Sequence, residues 1–303
     1  MKQSAIIAVL FWSIMGVIIC ISILSTSSVI ADTDTANTLT EIGNATPTVV
    51  INSVTGPITL LENGHTAIAW ATSTVTDNNG CDEVDFATSV VAVFYDSAAV
   101  ATSCSSNGRN CYPSASTTCA VSAGDTCDGV GDTSVEWSCY VNPWHYANDA
   151  ATWKWNIAAS DAANTGSSTS DTVTVNPLLA LDVTEGTIDY GTLALNTLSA
   201  QSTTTVVNTG NDTAMDVGIK ESAAFTCTLG NITSTYQHYS QSGGFSYGDG
   251  TVLWSTSTQS LNADIAQGEN GSETPSEAVY WLLTTPADGV SGSCSGTNYF
   301  EAQ

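Results

Sequence analysis

The sequence has very few basic residues. Its 303 residues include 4 lysine and arginine side chains against 29 aspartate and glutamate side chains, which gives a formal net charge of −25 at neutral pH. Charged residues make up only 11% of the chain, so the imbalance comes from missing cations rather than from an excess of acids. This field repels nucleic acids and anionic membrane surfaces, and both are therefore excluded as partners. It attracts divalent cations.

The sequence also lacks the motifs of common catalytic and zinc sites. Its three histidines, His65, His145 and His238, lie in unrelated segments, without the spacings that bind zinc. It has no Gly-x-Ser-x-Gly motif, and no pair of carboxylates can be assigned to glycoside hydrolysis from the sequence. We therefore expect a protein without catalytic activity.

The longest apolar run lies at the N-terminus. Residues 5–24 are almost wholly apolar, and Val29 and Ala31 are small residues at the positions that signal peptidase prefers. This pattern predicts a signal peptide over residues 1–31 and an extracellular or cell-surface protein. The alternative is an uncleaved anchor, since the run is nearly long enough to cross a bilayer, and this would be the protein's one contact with a membrane. Residues 32–46 are polar and unpatterned, which predicts a disordered leader.

After this leader, apolar and polar residues alternate as they do in strands with one buried face. In residues 153–157 both tryptophans and Ile157 share one face, while Lys154 lies on the other. The same period recurs in residues 135–141, 171–175 and 215–220. Asn-Gly and Asp-Gly pairs separate the strands, which is typical of antiparallel sandwiches. The sequence therefore predicts an all-β fold.

The best domain boundary is at Asn176 and Pro177. One strand ends there and a new apolar strand, residues 178–183, follows without a flexible linker. We therefore predict two tandem sandwiches, residues 47–176 and residues 177–303, each large enough to bury its own core. The direct junction predicts that the two domains lie almost rigidly end to end.

The cysteine count is that of an exported protein. Eight cysteines remain when Cys20 of the predicted signal is set aside, six in the first predicted domain and two in the second. An even number in an exported chain predicts disulfides. If the halves are separate domains, Cys227 must pair with Cys294. The other six allow many pairings, and we favour local ones, with Cys127 to Cys139 as the first choice.

Several turns resemble those of a known class of surface proteins. Residues 155–166, followed by residues 171–175, resemble the closing hairpin of immunoglobulin-like domains in secreted prokaryotic cell-surface proteins. Residues 205–211 are similar to the Asn-Thr-Gly-Asn turn of such domains, and residues 286–297 resemble their final strand, with Cys294 where tyrosine is common. The resemblance implies two immunoglobulin-like β-sandwiches with a structural or adhesive role. Their partners would be cell-envelope or surface components, or further copies of the chain.

An acidic turn is the candidate metal site. Asp77, Asn79, Asp82 and Asp85 surround Gly80 and offer the oxygen-rich, flexible setting that calcium prefers, although the spacing is not that of an EF-hand. The alternative is an ordinary solvated turn, because Asp and Asn side chains stabilise turns by bonding their own backbone. Calcium is the one cofactor that the sequence suggests.

An aromatic loop is the candidate ligand site. Trp144, His145 and Tyr146 follow one another, and aromatic rings at the end of a sandwich can stack on sugar rings. Glycan binding, with or without calcium, is therefore our alternative to a structural or adhesive function. The competing explanation is that Trp144 and Tyr146 cover the edge of the core.

Asn-x-Ser/Thr triplets predict glycosylation, provided that the source modifies asparagine. They occur at Asn44, Asn211, Asn231 and Asn270, and a proline shortly after Asn44 weakens the first. We predict the other three as acceptors. Chance alone would yield several such triplets in a chain this rich in Asn, Ser and Thr.

Overall fold

The computed structural model of the chain describes residues 40–62, 68–84, 89–127, 131–161, 163–221, 223–254, 257–270 and 273–303. The predicted signal peptide, residues 1–31, and about half of the predicted leader, residues 32–46, lie outside these ranges. Residue contacts divide the chain into Met1–Gly43 and one compact unit, Asn44–Gln303. The described part of the chain holds no helix that is long and apolar enough to cross a membrane.

The described residues before Pro177 form antiparallel strands. These are β1 (Thr48–Val54), β2 (Ala69–Thr76), β3 (Val90–Asp96), β4 (Cys111–Tyr112), β5 (Thr118–Val121), β6 (Ser134–Val141), β7 (Ala150–Ser160), β8 (Thr165–Thr169) and β9 (Val173–Val175). They build two sheets with the strand orders β1-β2-β6-β5 and β4-β3-β7-β8, and β9 pairs with the start of β7. A short 3-10 turn, Cys81–Glu83, lies between β2 and β3.

Alternation along the strands builds the core of this first half. On β7, Trp153, Trp155 and Ile157 are fully buried, and the residues between them are only partly so. Phe94 of β3 stacks on Trp153 with the ring centroids 4.7 Å apart. The inward faces of both sheets contribute to one core, as expected when two pleated sheets pack face to face. The predicted orientation of residues 153–157 is confirmed.

The described residues from Pro177 onward form shorter strands. These are β10 (Leu181–Val183), β11 (Ser202–Asn208), β12 (Val217–Glu221), β13 (Phe225–Leu229), β14 (Asn231–Ile232), β15 (Gln237–Ser240), β16 (Thr251–Val252), β17 (Gln259–Ser260), β18 (Ser276–Leu283), β19 (Ser291–Ser295) and β20 (Asn298–Ala302). Their sheets have the orders β10-β11-β18-β15-β16, β17-β12-β20 and β14-β13-β19. Two 3-10 turns are Ser234–Tyr236 and Tyr247–Asp249.

The second half has a core of its own. Met215, Val217 and Ile219 are fully buried, as the alternation in residues 215–220 predicts, and they share a cluster with Trp281 of β18. The strand pairings of the described residues stay within each half. The prediction of an all-β fold built from antiparallel sheets is confirmed. The division at Asn176 and Pro177 stays a prediction, because Asn44–Gln303 forms one compact unit by its contacts.

The end of the chain differs from the expectation. Residues 286–297 were expected to supply the final strand, and β19 lies within them, but β20 follows and pairs with β12. The reason is that Phe300 and Ala302 of β20 pack against the second core. Cys294 therefore belongs to a strand that pairs with β13.

The junction between the halves is held by the side chain of Asn211. Its carbonyl oxygen accepts a hydrogen bond from the Leu178 amide at 2.6 Å. Its amide group donates to the carbonyl oxygens of Ala147 at 2.9 Å and Asn176 at 3.2 Å. Because residues 178–180 bond to this turn, β10 begins at Leu181 rather than at Leu178. The predicted glycosylation of Asn211 does not fit the folded chain, since its amide nitrogen is buried and donates both hydrogens.

Disulfides join Cys81 to Cys127, Cys104 to Cys111, Cys119 to Cys139 and Cys227 to Cys294. The predicted pair of Cys127 with Cys139 is wrong. Strand β5 runs beside β6 and places Cys119 directly opposite Cys139, so Cys127 pairs with Cys81 instead. The Cys227–Cys294 bridge, which the two-domain interpretation requires, joins directly opposed residues of β13 and β19.

Candidate functional site

A cleft in the first half lies between the aromatic loop, residues 144–146, and the strands β5 and β6. It is located where β5 begins and β6 ends. Its volume is about 440 Å³, within the range of small-ligand sites. Aromatic side chains, hydroxyls and amides make up most of its wall. The lining residues are Ser106, Asn107, Gly108, Tyr112, Ser116, Thr118, Tyr140, Val141, Asn142, Trp144, Tyr146 and Asn270.

The lining of this cleft carries no charge among the residues that the structure describes. That is informative in a chain with a net charge of −25, because acidic residues are abundant elsewhere. Six of the lining residues are Ser, Thr or Asn, which offer both hydrogen-bond donors and acceptors. The cleft is therefore suited to an uncharged ligand that has an apolar face and several hydroxyl groups.

The aromatic loop supplies one wall and the floor. Trp144 is half-buried and lies parallel to Tyr146, with ring centroids 5.8 Å apart and an angle of 13° between the planes. Tyr146 is buried and forms the floor. His145 stands edge-on to Tyr146 at a centroid distance of 5.0 Å, and it is not among the lining residues. Two of the three predicted ligand residues thus reach the cleft.

Tyr112 connects the aromatic loop to the loop that contains Gly108. Its hydroxyl donates to the carbonyl oxygen of Gly108 and accepts a hydrogen bond from the Trp144 amide at 2.8 Å. Burial raises the pKa of Tyr112 far above its usual range, although the hydrogen bond from Trp144 opposes part of the rise. The phenol therefore stays protonated at physiological pH and keeps its role as a donor.

A further wall is the loop around Asn107, which is held by hydrogen bonds of its own. The side-chain oxygen of Asn107 accepts hydrogen bonds from the backbone amides of Arg109, Asn110 and Cys111 at 3.1, 2.9 and 3.2 Å. Gly108 has a φ of +68°, and a Cβ atom there would lie 2.7 Å from the Tyr146 hydroxyl oxygen. Glycine is therefore required where the loop approaches the aromatic wall.

The second half contributes the remaining rim. The Gln267 amide donates to the Tyr146 carbonyl oxygen at 2.9 Å, which holds the following residues beside the cleft. Arg109 donates to the Asn148 side chain at 3.0 Å and forms an ion pair with Glu269 at 3.4 Å. Asn270 lines the cleft, so a glycan on its side chain would occupy the rim.

The other predicted acceptor and the acidic turn lie outside the lining. Asn231 is exposed on β14, where a glycan can be accommodated. Asp77 is buried, and its carboxylate accepts the Asn79 amide at 2.9 Å, while the Asn79 side-chain oxygen accepts the Ala45 amide at 2.5 Å. This geometry is that of a backbone-bonding turn.

The structure describes only some of the predicted calcium ligands. Asp82 lies beside Gly80, with a carboxylate oxygen 2.6 Å from where a Cβ atom on that glycine would be. Asp85 lies outside the described residues. Within the described ranges, no group of three or more His, Cys, Asp or Glu side chains could hold a metal ion. Calcium at Asp77, Asn79, Asp82 and Asp85 stays a prediction.

Sequence reasoning missed most of the cleft. Tyr140 lies on the outward phase of β6, between the buried Cys139 and Val141, and an exposed aromatic residue at such a position was a usable signal. Asn107 and Gly108 indicated only a turn. Tyr112 gave no signal, because its role depends on contacts with Gly108 and Trp144 that lie outside its own strand.

Comparisons with known proteins give no family. No family model and no curated protein matches the chain. One solved structure is described as a chaperone-tip adhesin complex of CFA/I fimbriae biogenesis; its chain is 9% identical, with 86% of this chain and 91% of that chain covered and a TM-score of 0.28. Another is the C-terminal domain of the Streptococcus agalactiae AgI/II polypeptide BspA, 10% identical, with 84% and 95% covered and a TM-score of 0.21. Likenesses this weak carry no argument about function.

Proposed function

We propose that the protein is a non-catalytic extracellular adhesive protein that binds a neutral glycan in the cleft. The four disulfides support export, because such bridges persist in oxidising compartments and are rare in the cytosol. The apolar N-terminal segment supports it independently.

The uncharged lining of the cleft carries the choice of ligand. A sugar ring has an apolar face that stacks on Trp or Tyr, and hydroxyl groups that exchange hydrogen bonds with Ser, Thr and Asn. The cleft offers both kinds of contact, and none of its described lining residues is a cation that would favour an anionic ligand. None of Asp77, Asn79 and Asp82 is among the lining residues, so this binding does not need calcium as a bridge to the ligand.

Replacing Trp144 by alanine is expected to weaken glycan binding about ten-fold or more, because truncating a stacked tryptophan at a binding site costs at least about 1.4 kcal/mol. The measurement is binding of the purified protein to an array of neutral, sialylated and sulfated oligosaccharides, followed by titration of the best neutral glycan. Trp144→Phe keeps a stacking ring and serves as the matched control. The melting temperatures of both variants are measured as well, to check that they are folded.

The expected result is selective binding of neutral glycans, with most of the affinity retained by Trp144→Phe. Absence of binding across the neutral glycans would contradict the proposal, and so would affinity that Trp144→Ala leaves unchanged. Release of shortened products from the bound glycan would show an enzyme instead.

A further inference from the structure

An exposed pair of aromatic residues lies next to the cleft. Trp70 of β2 and Tyr140 of β6 are directly opposite each other in the antiparallel pairing, so both side chains project from the same outer face of the sheet. Trp70 is 40% exposed and Tyr140 is 41% exposed. Trp137, Trp153, Trp155 and Trp281, in contrast, are almost completely buried. Neither ring is needed to fill a core.

The backbone beneath this pair is held firmly. Tyr140 is flanked by Cys139, which is bonded to Cys119 of the neighbouring strand β5. On the other side, the Trp70 carbonyl oxygen accepts hydrogen bonds from the backbone amide and the hydroxyl of Thr55 at 2.8 and 2.9 Å. The two rings therefore stand on a preorganised support, which lowers the entropy lost when a ligand binds.

The pair is continuous with the cleft. Tyr140 and its opposite neighbour on β5, Thr118, both line the cleft. Trp70 lies one strand further from the cleft than Tyr140, a distance of about 4.8 Å between strands and close to the width of one sugar ring. A chain that leaves the cleft over Tyr140 would therefore meet Trp70 with its next unit.

We propose that the binding site extends from the cleft across Tyr140 to Trp70 and takes a neutral glycan of at least two sugar units. This inference rests on the proposed function. One unit occupies the cleft against Trp144, and the next stacks on Trp70. The site thus recognises the interior or the end of an oligosaccharide rather than a single sugar.

The surroundings of the pair favour this occupant. The next outward positions on the same face are Thr72 and Ser138, which are opposite each other and carry hydroxyl groups. The surface area of two aromatic rings among hydroxyl groups is small compared with the roughly 1,000 Å² that a stable protein interface buries. A second copy of the chain would carry the same negative net charge, −25 over the full sequence, and would be repelled at low ionic strength.

The test compares glycans of increasing length. The neutral glycan found on the array is titrated as its monosaccharide, disaccharide and trisaccharide against the wild-type chain, Trp70→Ala and Val50→Ala. Val50 is exposed on β1 of the same sheet, opposite Thr74 and away from the cleft, and it is the matched control. We expect the disaccharide to bind about ten-fold more tightly than the monosaccharide. Trp70→Ala should abolish that gain, and Val50→Ala should retain it.

The outcomes separate the two proposals. Binding that does not increase from one unit to two, or an increase that survives in Trp70→Ala, overturns the extended site and leaves glycan binding in the cleft intact. If no neutral glycan binds, the proposed function fails and the extension fails with it. Sedimentation of the wild-type chain and of Trp70→Ala tests the competing occupant, a second copy of the chain. A wild-type dimer that dissociates in Trp70→Ala would show that this face mediates self-association and would overturn the inference.

Discussion

A chain in which Cys227→Ser and Cys294→Ser are combined is expected to lose about 4 kcal/mol of unfolding free energy. The bridge joins residues separated by 67 positions, and in the chain-entropy model a loop of that length costs the unfolded state about 4 kcal/mol of conformational freedom. The bridge also joins β13 to β19 within the three-stranded sheet β14-β13-β19 of the second half. Few buried side chains support that sheet, so little else compensates for the loss.

The matched control is the pair Cys104→Ser and Cys111→Ser. That bridge spans only 7 positions, for which the same model gives about 2 kcal/mol. Unfolding in guanidinium chloride under non-reducing conditions, followed by tryptophan fluorescence, measures both losses. Equal losses for the two double variants would contradict an origin in loop closure.

Much of the fold follows from local pattern. Alternation decides which face of a strand is buried, and this alone places Trp153, Trp155 and Ile157 inward and Tyr140 outward. No knowledge of neighbouring strands is needed for that step.

The disulfide pairing in the first half depends on which strands are neighbours. Cys119 lies opposite Cys139 only because β5 pairs with β6 in the sheet. Nearness in sequence favoured Cys127 instead, although Cys127 lies beside the 3-10 turn that contains Cys81. Long-range strand order is not encoded in any single segment, which is why the local preference failed.

The cleft could be predicted only in part for the same reason. Trp144 and Tyr146 were visible as an aromatic loop, but the other walls come from β5, β6 and the loop around Asn107, and part of the rim comes from Asn270 in the second half. At Asn211 the sequence predicted a site that the fold does not offer. Its Asn-x-Thr triplet indicated an exposed glycosylation acceptor, whereas its side chain donates a hydrogen bond across the junction to Ala147. A triplet of residues carries no information about such long-range contacts.

Stability is also expected to depend on one buried carboxyl group, that of Glu221. The residue ends β12 and is only 1% exposed, and neither carboxylate oxygen has a hydrogen-bond partner of good geometry. Burial raises the pKa of Glu221 from 4.5 to about 7, and the nearby Ser234 hydroxyl opposes only part of this rise. The adjacent Lys220 does not compensate for this, because successive side chains of a strand lie on opposite faces. Its ammonium group forms an ion pair with Glu301 on the neighbouring strand.

The groups around Glu221 are neutral. The raised pKa of Tyr190, caused mainly by burial and in part by Glu221 itself, keeps that phenol protonated. Gln237 donates to the Tyr190 hydroxyl at 2.5 Å, and the Gln237 and Asn298 side-chain oxygens have no hydrogen-bond partner. No positively charged group among the described residues lowers the pKa of Glu221, and a protonated Glu221 fits this environment better than an ionised one.

The sign of the pH dependence follows from these pKa values. Between pH 4.5 and about pH 7 the unfolded chain has released the Glu221 proton while the folded chain retains it, so the unfolding free energy falls as the pH rises through this window. The difference between the two pKa values corresponds to about 3 kcal/mol. Glu221→Gln is neutral at every pH, and Asn298, directly opposite on β20, has a side-chain oxygen without a hydrogen-bond partner that can accept from the new amide. This variant is therefore expected to be about 3 kcal/mol more stable than the wild-type chain at pH 8.

The measurement is the unfolding free energy of both chains from guanidinium chloride titrations at pH 5 and pH 8. Glu301→Gln is the control, because the hydrogen bond from Lys220 holds the pKa of Glu301 below its usual range, so this carboxylate does not titrate between those two pH values. We expect the wild-type chain and Glu301→Gln to lose stability from pH 5 to pH 8 and Glu221→Gln to lose almost none. A wild-type stability that is constant over this interval would show that the folded chain accommodates the ionised carboxylate, and the same decline in Glu221→Gln would assign the titration to another group.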